Sequence, residues 1–179
     1  SPSGSGLQSR PGRPALSGPT QSFVFADQIL HDLQDIFGVA RQTIRFPIGN
    51  NAELGAREVV AAYPPATFPD GFTFDSEGGV WCVSVASNRV IHVDRDGQQT
   101  IVLEDSDPER MQVIAEAFDN DTFRREHIDA GKERPLKNIA SIAFGGDDLK
   151  TIYMGSLFGD GIATFRAPIA GAPPVQWEF

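Results

Sequence analysis

The chain has 179 residues, 24 acidic against 15 basic, and a formal net charge of -9. That length supports one domain with a core of its own, needing no disulfide or metal staple, and an acidic balance without any Lys/Arg cluster excludes nucleic acid as a partner. Apolar stretches reach about five to eight residues, against the roughly 20 that cross a bilayer, so the sequence predicts a soluble chain with no membrane partner; the compartment stays open, with the cytoplasm slightly favoured.

Residues 1–12, rich in Ser, Gly and Pro, have no periodicity and read as a linker or a cut end. A first unit is predicted over 13–63, with strands near 15–17, 23–26, 43–47 and 58–61. Between its second and third strands, Ile29, Leu30, Leu33, Ile36 and Phe37 fall at helical spacing before Gly38, which predicts a short helix over 28–37. Asp27, at a strand end, reads as structural. A second unit covers 68–105, with strands near 71–75, 80–85, 89–94 and 99–104. Its hairpin turn is Arg95-Asp96-Gly97-Gln98, because Asp-Gly tolerates the positive φ of tight hairpins.

The β pattern then breaks. Asp107 is placed to cap a helix whose first residue is Pro108, and Met111, Ile114, Ala115 and Phe118 share one face as far as 119. Residues 123–132 read as polar, solvated surface, so that a helical insertion spans about 107–130. A third unit covers 136–179, with strands near 140–144, 151–156, 162–167 and 175–179. Units of four short strands recurring at roughly 40 to 60 residues are the signature of a β-propeller. The expected fold is all-β, about three four-stranded blades with short helical insertions, filling 13–179. Three blades do not close a ring. Trp81, Phe74, Phe144 and Tyr153 are expected between adjacent blades, and Phe23, Phe25, Ile152 and Tyr153 on faces left uncovered at the two ends.

Few residues offer chemistry. Asp70, in Pro69-Asp70-Gly71, stands just before a channel-lining strand, where a carboxylate can ligate a hard cation or take a proton from water. Pro-Asp-Gly is also good turn chemistry by itself. Asn138 and Ser141, beside the third unit's channel-lining strand, and Asp160, before Gly161, are candidates to bind substrate, with strand-end and turn roles as the alternatives. Cys82, in an apolar strand, reads as a small buried hydrophobe. His92 points to a blade face, and His31 and His127 have no partner at ligand spacing.

Phe68-Pro69-Asp70-Gly71-Phe72-Thr73-Phe74-Asp75-Ser76-Glu77-Gly78, then Asn88-Arg89-Val90-Ile91-His92-Val93-Asp94, and Ala143-Phe144-Gly145-Gly146-Asp147-Asp148-Leu149-Lys150-Thr151-Ile152-Tyr153, resemble the SMP-30/gluconolactonase family. The resemblance implies a six-bladed propeller, of which this chain is the C-terminal half. It implies one divalent metal, often calcium, with zinc or magnesium as alternatives, and hydrolysis of sugar lactones or related esters. Carried onto this chain, it makes Asp70 both metal ligand and catalytic residue. It also implies an Asn-Gly pair one blade earlier, where registering Leu16, Phe74 and Phe144 sets Gly12-Arg13, and a Glu near the start that has no counterpart here. The metal site is therefore expected to be incomplete. The expected partners are a complementary N-terminal half or a second copy of the chain, together with a small lactone or ester. Two functions follow: a metal-dependent lactone or ester hydrolase, or a non-catalytic propeller segment acting as a binding or scaffold module.

Overall fold

The computed structural model describes residues 21–25, 41–48 and 53–174. The expected helix over 28–37, the strands near 15–17 and 175–179, Asp27, His31 and the Gly12-Arg13 pair lie outside the described residues. What is described is mostly β with few helices, arranged as three antiparallel sheets that do not close on themselves.

The first sheet holds β1 (Gln21–Phe25), β2 (Gln42–Pro47) and β3 (Glu58–Ala62) in chain order. The second is a four-stranded meander, β4 (Pro69–Phe74), β5 (Val80–Ser84), β6 (Arg89–Val93) and β7 (Gln99–Glu104). The third holds β8 (Ile139–Gly145), β9 (Thr151–Ser156) and β10 (Ala163–Arg166), with β9 in the middle. The β6–β7 turn forms at the expected Asp96-Gly97, and Gly97 takes the left-handed φ of +84° that favours glycine.

Between β7 and β8 run α1 (Pro108–Asp119) and α2 (Arg125–Asp129). Pro108 opens α1, and the Asp107 carboxylate accepts a hydrogen bond from the Arg110 N–H at 3.1 Å, the N-cap that the sequence predicts. The stretch after α1 differs from expectation. Phe123 is buried and stacks on Phe68, so the segment is anchored rather than simply solvated.

Each seam between sheets has its own core. Ala61 and Tyr63 at the end of the first sheet meet Val80, Cys82, Ile91 and Val93 of the second. Trp81, Val83 and Val90 on the other face of the second sheet meet Ile139, Ile142, Ile152 and Met154 of the third. β5 serves both seams, because alternate side chains of a strand point to opposite faces, and all five of its residues are buried.

The same alternation corrects one expectation. Ile152 and Tyr153 are neighbours on β9 and cannot share a face. Ile152 and Met154 face the second sheet and are buried, while Tyr153 is turned outward and 41% exposed. Tyr153 is therefore not an anchor between the described sheets, and Ile152 is not on the uncovered face. The outward face of the third sheet carries Tyr153 with exposed Ser141, Ala143 and Thr164. Trp81 sits where expected, 1% exposed, edge-on to Phe144 at 5.6 Å. Phe74 is half-buried against the first seam.

Candidate functional site

The strand pairings put Asp70 at one definite end of the sheets. Pro69 pairs with Ser84, Ser84 with Arg89, and Arg89 with Glu104, so the loops 63–68, 85–88 and 105–138 all emerge at that end. β8 starts there too, with Ile139 opposite Ser156, and the loop 157–162 follows. The helical insertion thus stands over the same edge as Asp70.

Asp70 lies on a bulge. Between Pro69 and Phe72 the β4–β5 register shifts, β4 taking one residue more than β5. β8 has its own shift between Ile139 and Ser141, at Ala140. The two irregularities occupy the positions that registering Phe74 on Phe144 makes equivalent. They also touch: a Cβ on Gly71 would stand 2.6 Å from the Ala140 carbonyl oxygen and 2.7 Å from Ser141 Cα, so only glycine lets β4 and β8 approach this closely. The structure therefore brings the Asp70 segment beside Ser141. Asp70 is half-buried and Ser141 exposed.

Asn138 is placed differently. It is fully buried with φ of +62°, its Nδ2 donates to the Ile128 carbonyl at 2.6 Å, and its own carbonyl accepts from the Leu157 N–H at 2.9 Å. These bonds tie α2, the start of β8 and the end of β9 into one joint. Asp160 is exposed in the β9–β10 connection and borders a cleft of about 210 Å³ with Leu136, Lys137, Met154, Ser156 and Ile162. It lies in the connection that leaves β9, the strand paired directly with β8, and Ile139 at the start of β8 lines the same cleft.

Cys82 is fully buried and 3.4 Å from the Tyr63 hydroxyl. Burial pushes its thiol up to about 11, with the Tyr63 hydrogen bond pulling the other way, so no nucleophilic thiolate stands ready at neutral pH.

Asp70 carries a carboxylate, an oxygen donor of the kind a hard cation takes, and the Ala140 carbonyl lies against its neighbour Gly71, whereas the Ser141 hydroxyl lies over Gly155 on the outward face of the third sheet. A calcium ion takes six to eight oxygens, and among the described residues no three His, Cys, Asp or Glu side chains form a metal-holding group. The donor type fits, but the set does not make a complete cage.

Sequence reasoning missed Asp75. Its side chain is buried and accepts from the Glu77 N–H at 2.9 Å, the Gly79 N–H at 2.8 Å, the Trp81 indole at 3.0 Å and His92 Nε2 at 2.8 Å. The signal was an Asp opening the tight turn Asp75-Ser76-Glu77-Gly78 just ahead of a Trp. Asp75 closes β4 at the end opposite Asp70, so this network holds the sheet and takes no part in the candidate site.

A family model described as the SMP-30/Gluconolactonase/LRE-like region matches residues 38–115. No curated protein matches the sequence. Among solved structures, a luciferin-regenerating enzyme aligns at 15% identity and a TM-score of 0.50, over 74% of this chain and 40% of its own. A structure described as a gluconolactonase aligns at 16% identity and 0.48, over 75% of this chain and 34% of its own. A calcium-binding regucalcin from Agrobacterium tumefaciens strain C58 aligns at 18% identity and 0.44, over 74% of this chain and 40% of its own. The chain spans less than half the length of each. At these identities the likeness speaks to fold alone, and of the three only the luciferin-regenerating enzyme aligns closely enough to carry that point. No helix among the described residues is long and apolar enough to cross a membrane. Over residues 38–115, which contain Asp70 and the whole second sheet, the chain is similar to the SMP-30/gluconolactonase/LRE-like family.

Proposed function

We propose that the three sheets are consecutive blades of a propeller and that the protein hydrolyses sugar lactones or related esters at the edge where β4 and β8 meet. The observation that supports this reading is the pair of touching bulges, which brings the Asp70-Gly71 segment against the Ala140-Ser141 backbone at one end of the sheets. In lactone hydrolysis, water adds to the carbonyl carbon, the ring C–O bond breaks, and the product is an open hydroxy acid. The Asp70 carboxylate takes the proton from water and returns it to the departing ring oxygen. Asn138 acts from behind, fixing the start of β8, and Asp160 meets a long substrate at the cleft it borders.

A divalent cation, calcium first and zinc or magnesium as alternatives, would be held in part by Asp70 and supplies Lewis acidity when bound. Among the described residues this reading assigns it one side chain, Asp70. The lack of a three-member metal-holding group among those residues favours the second reading, a propeller segment retained as a binding or scaffold module.

The test is hydrolysis of a γ- or δ-sugar lactone, followed by acid release, with added calcium and with chelator. Asp70→Asn is expected to lower the calcium-dependent rate by about 10² or more while leaving the apo melting temperature within a few degrees. Equal rates in variant and parent remove Asp70 from the site. A parent that hydrolyses nothing with any of the three metals leaves the scaffold reading.

The remaining blades are proposed to come from a complementary N-terminal half, in preference to a second copy of this chain. Support comes from the share of the luciferin-regenerating enzyme that the chain spans, 40%, and from outward-turned Tyr153. Native light scattering is expected to give a mass above 19.4 kDa for the assembled protein. A compact monomer of that mass overturns both versions.

A further inference from the structure

Phe68 stands two residues before Asp70 and is held from three sides. Its N–H donates to Ser84 Oγ at 2.8 Å, and its carbonyl accepts from the Val85 N–H at 3.2 Å. Its ring stacks on Phe123 with centroids 5.0 Å apart and meets Phe118 edge-on at 5.4 Å. The first two contacts belong to the second sheet, and the third belongs to the helical insertion.

That insertion is braced as a unit. At its base the Asp105 carboxylate accepts from Arg134 Nε at 3.0 Å and Nη2 at 2.6 Å, and from the Leu136 N–H at 2.9 Å, which closes the excursion into a loop. Inside it, Arg110 Nη2 donates to the His127 and Ile128 carbonyls at 3.0 and 3.2 Å, tying α1 to α2. Its apolar face, Met111, Ile114, Ala117 and Phe123, forms a cluster with Ala66 and Ala86 that is separate from the two cores joining the sheets. The insertion therefore adds little to the seams between sheets. Its apolar payload falls on the segment that leads into Asp70.

We infer that residues 105–137 position Asp70 by clamping Phe68, with Phe118 and Phe123 as positioning residues; this rests on the reading of Asp70 as the functional carboxylate. On one side Pro69 fixes the backbone φ between Phe68 and Asp70. On the other, Gly71 abuts β8 and cannot retreat. With both neighbours fixed, the backbone that carries the carboxylate is held in place. A shift of about 1 Å at such a group costs up to about 10²-fold in function.

The experiment is hydrogen exchange on the full chain, read over residues 66–72 and, as control, over β9. In Phe118→Ala, exchange over 66–72 is expected to speed up by about tenfold or more, with β9 unchanged, because local opening there no longer breaks the aromatic clamp. Phe118→Leu keeps the apolar volume and is expected to restore near-parental exchange. Calcium titration by calorimetry is expected to show an affinity lower by about tenfold in Phe118→Ala and near parental in Phe118→Leu. Parental exchange over 66–72 in Phe118→Ala overturns the inference, and so does loosening of 66–72 and β9 together. If Phe118→Ala does not fold, Phe123→Leu, which thins the stack without emptying it, is expected to show the same local pattern at smaller amplitude, and parental exchange there overturns the inference as well. If the parent and Asp70→Asn bind calcium equally poorly, the metal reading fails, while exchange over 66–72 still decides whether the insertion holds Asp70 in place.

Discussion

Trp81→Ala is expected to lower stability by about 3 to 5 kcal/mol, the range for emptying a large aromatic from a well-packed core. Trp81 is 1% exposed, lies at the centre of the seam between the second and third sheets, meets Phe144 edge-on and has Phe165 at 6.4 Å. The cavity cannot collapse easily, because its walls are β-strands from two sheets whose registers are set by their own ladders. The loss has a second part. The Trp81 indole donates to the buried Asp75 carboxylate, and truncation removes one of that group's donors. Chemical denaturation of parent and variant measures the difference. A loss below about 1 kcal/mol would show that Trp81 is not the keystone of this seam.

Asp75→Ala should cost a similar amount, about 3 to 5 kcal/mol, the range for removing one partner of a buried charged network. The substitution leaves two turn N–H groups, an indole N–H and a histidine nitrogen facing a cavity. The effect depends on pH in a definite direction. Burial opposes ionisation of Asp75, but the bonds from the Gly79 N–H, the Trp81 indole, the Glu77 N–H and His92 outweigh it and hold the carboxyl below its usual 3.8. Because the folded value lies below the unfolded one, the unfolded chain binds the proton first as pH falls. The stabilisation is therefore fully present above about 3.8 and is lost as pH drops through the lower folded value. Melting temperatures taken from pH 6 down to pH 2 should converge for parent and Asp75→Asn at the acid end. Curves that stay parallel over that range would remove ionised Asp75 as the source of the stabilisation.

Much of the fold was legible because its causes are local. Alternation in Val90-Ile91-His92-Val93, the Asp96-Gly97 turn and the Asp107-Pro108 start of α1 each depend on residues within one turn or strand. The split between Ile152 and Tyr153 was equally local, since neighbours on a strand must face opposite ways. Expecting both on one uncovered face set that period aside. Asp70 was legible as a candidate for the same reason, standing in a short motif ahead of a strand. What surrounds Asp70 was not. The abutment of Gly71 on Ala140 and Ser141 and the clamp of Phe118 and Phe123 on Phe68 join residues on the order of 50 to 70 positions apart in the chain. Local pattern carries no information about such pairs, because they are set by how sheets stack and which edge an insertion folds over. The sequence by itself determined the strands, the turns and one carboxylate at a strand start; only the packing of one sheet against the next decided which side chains stand beside it.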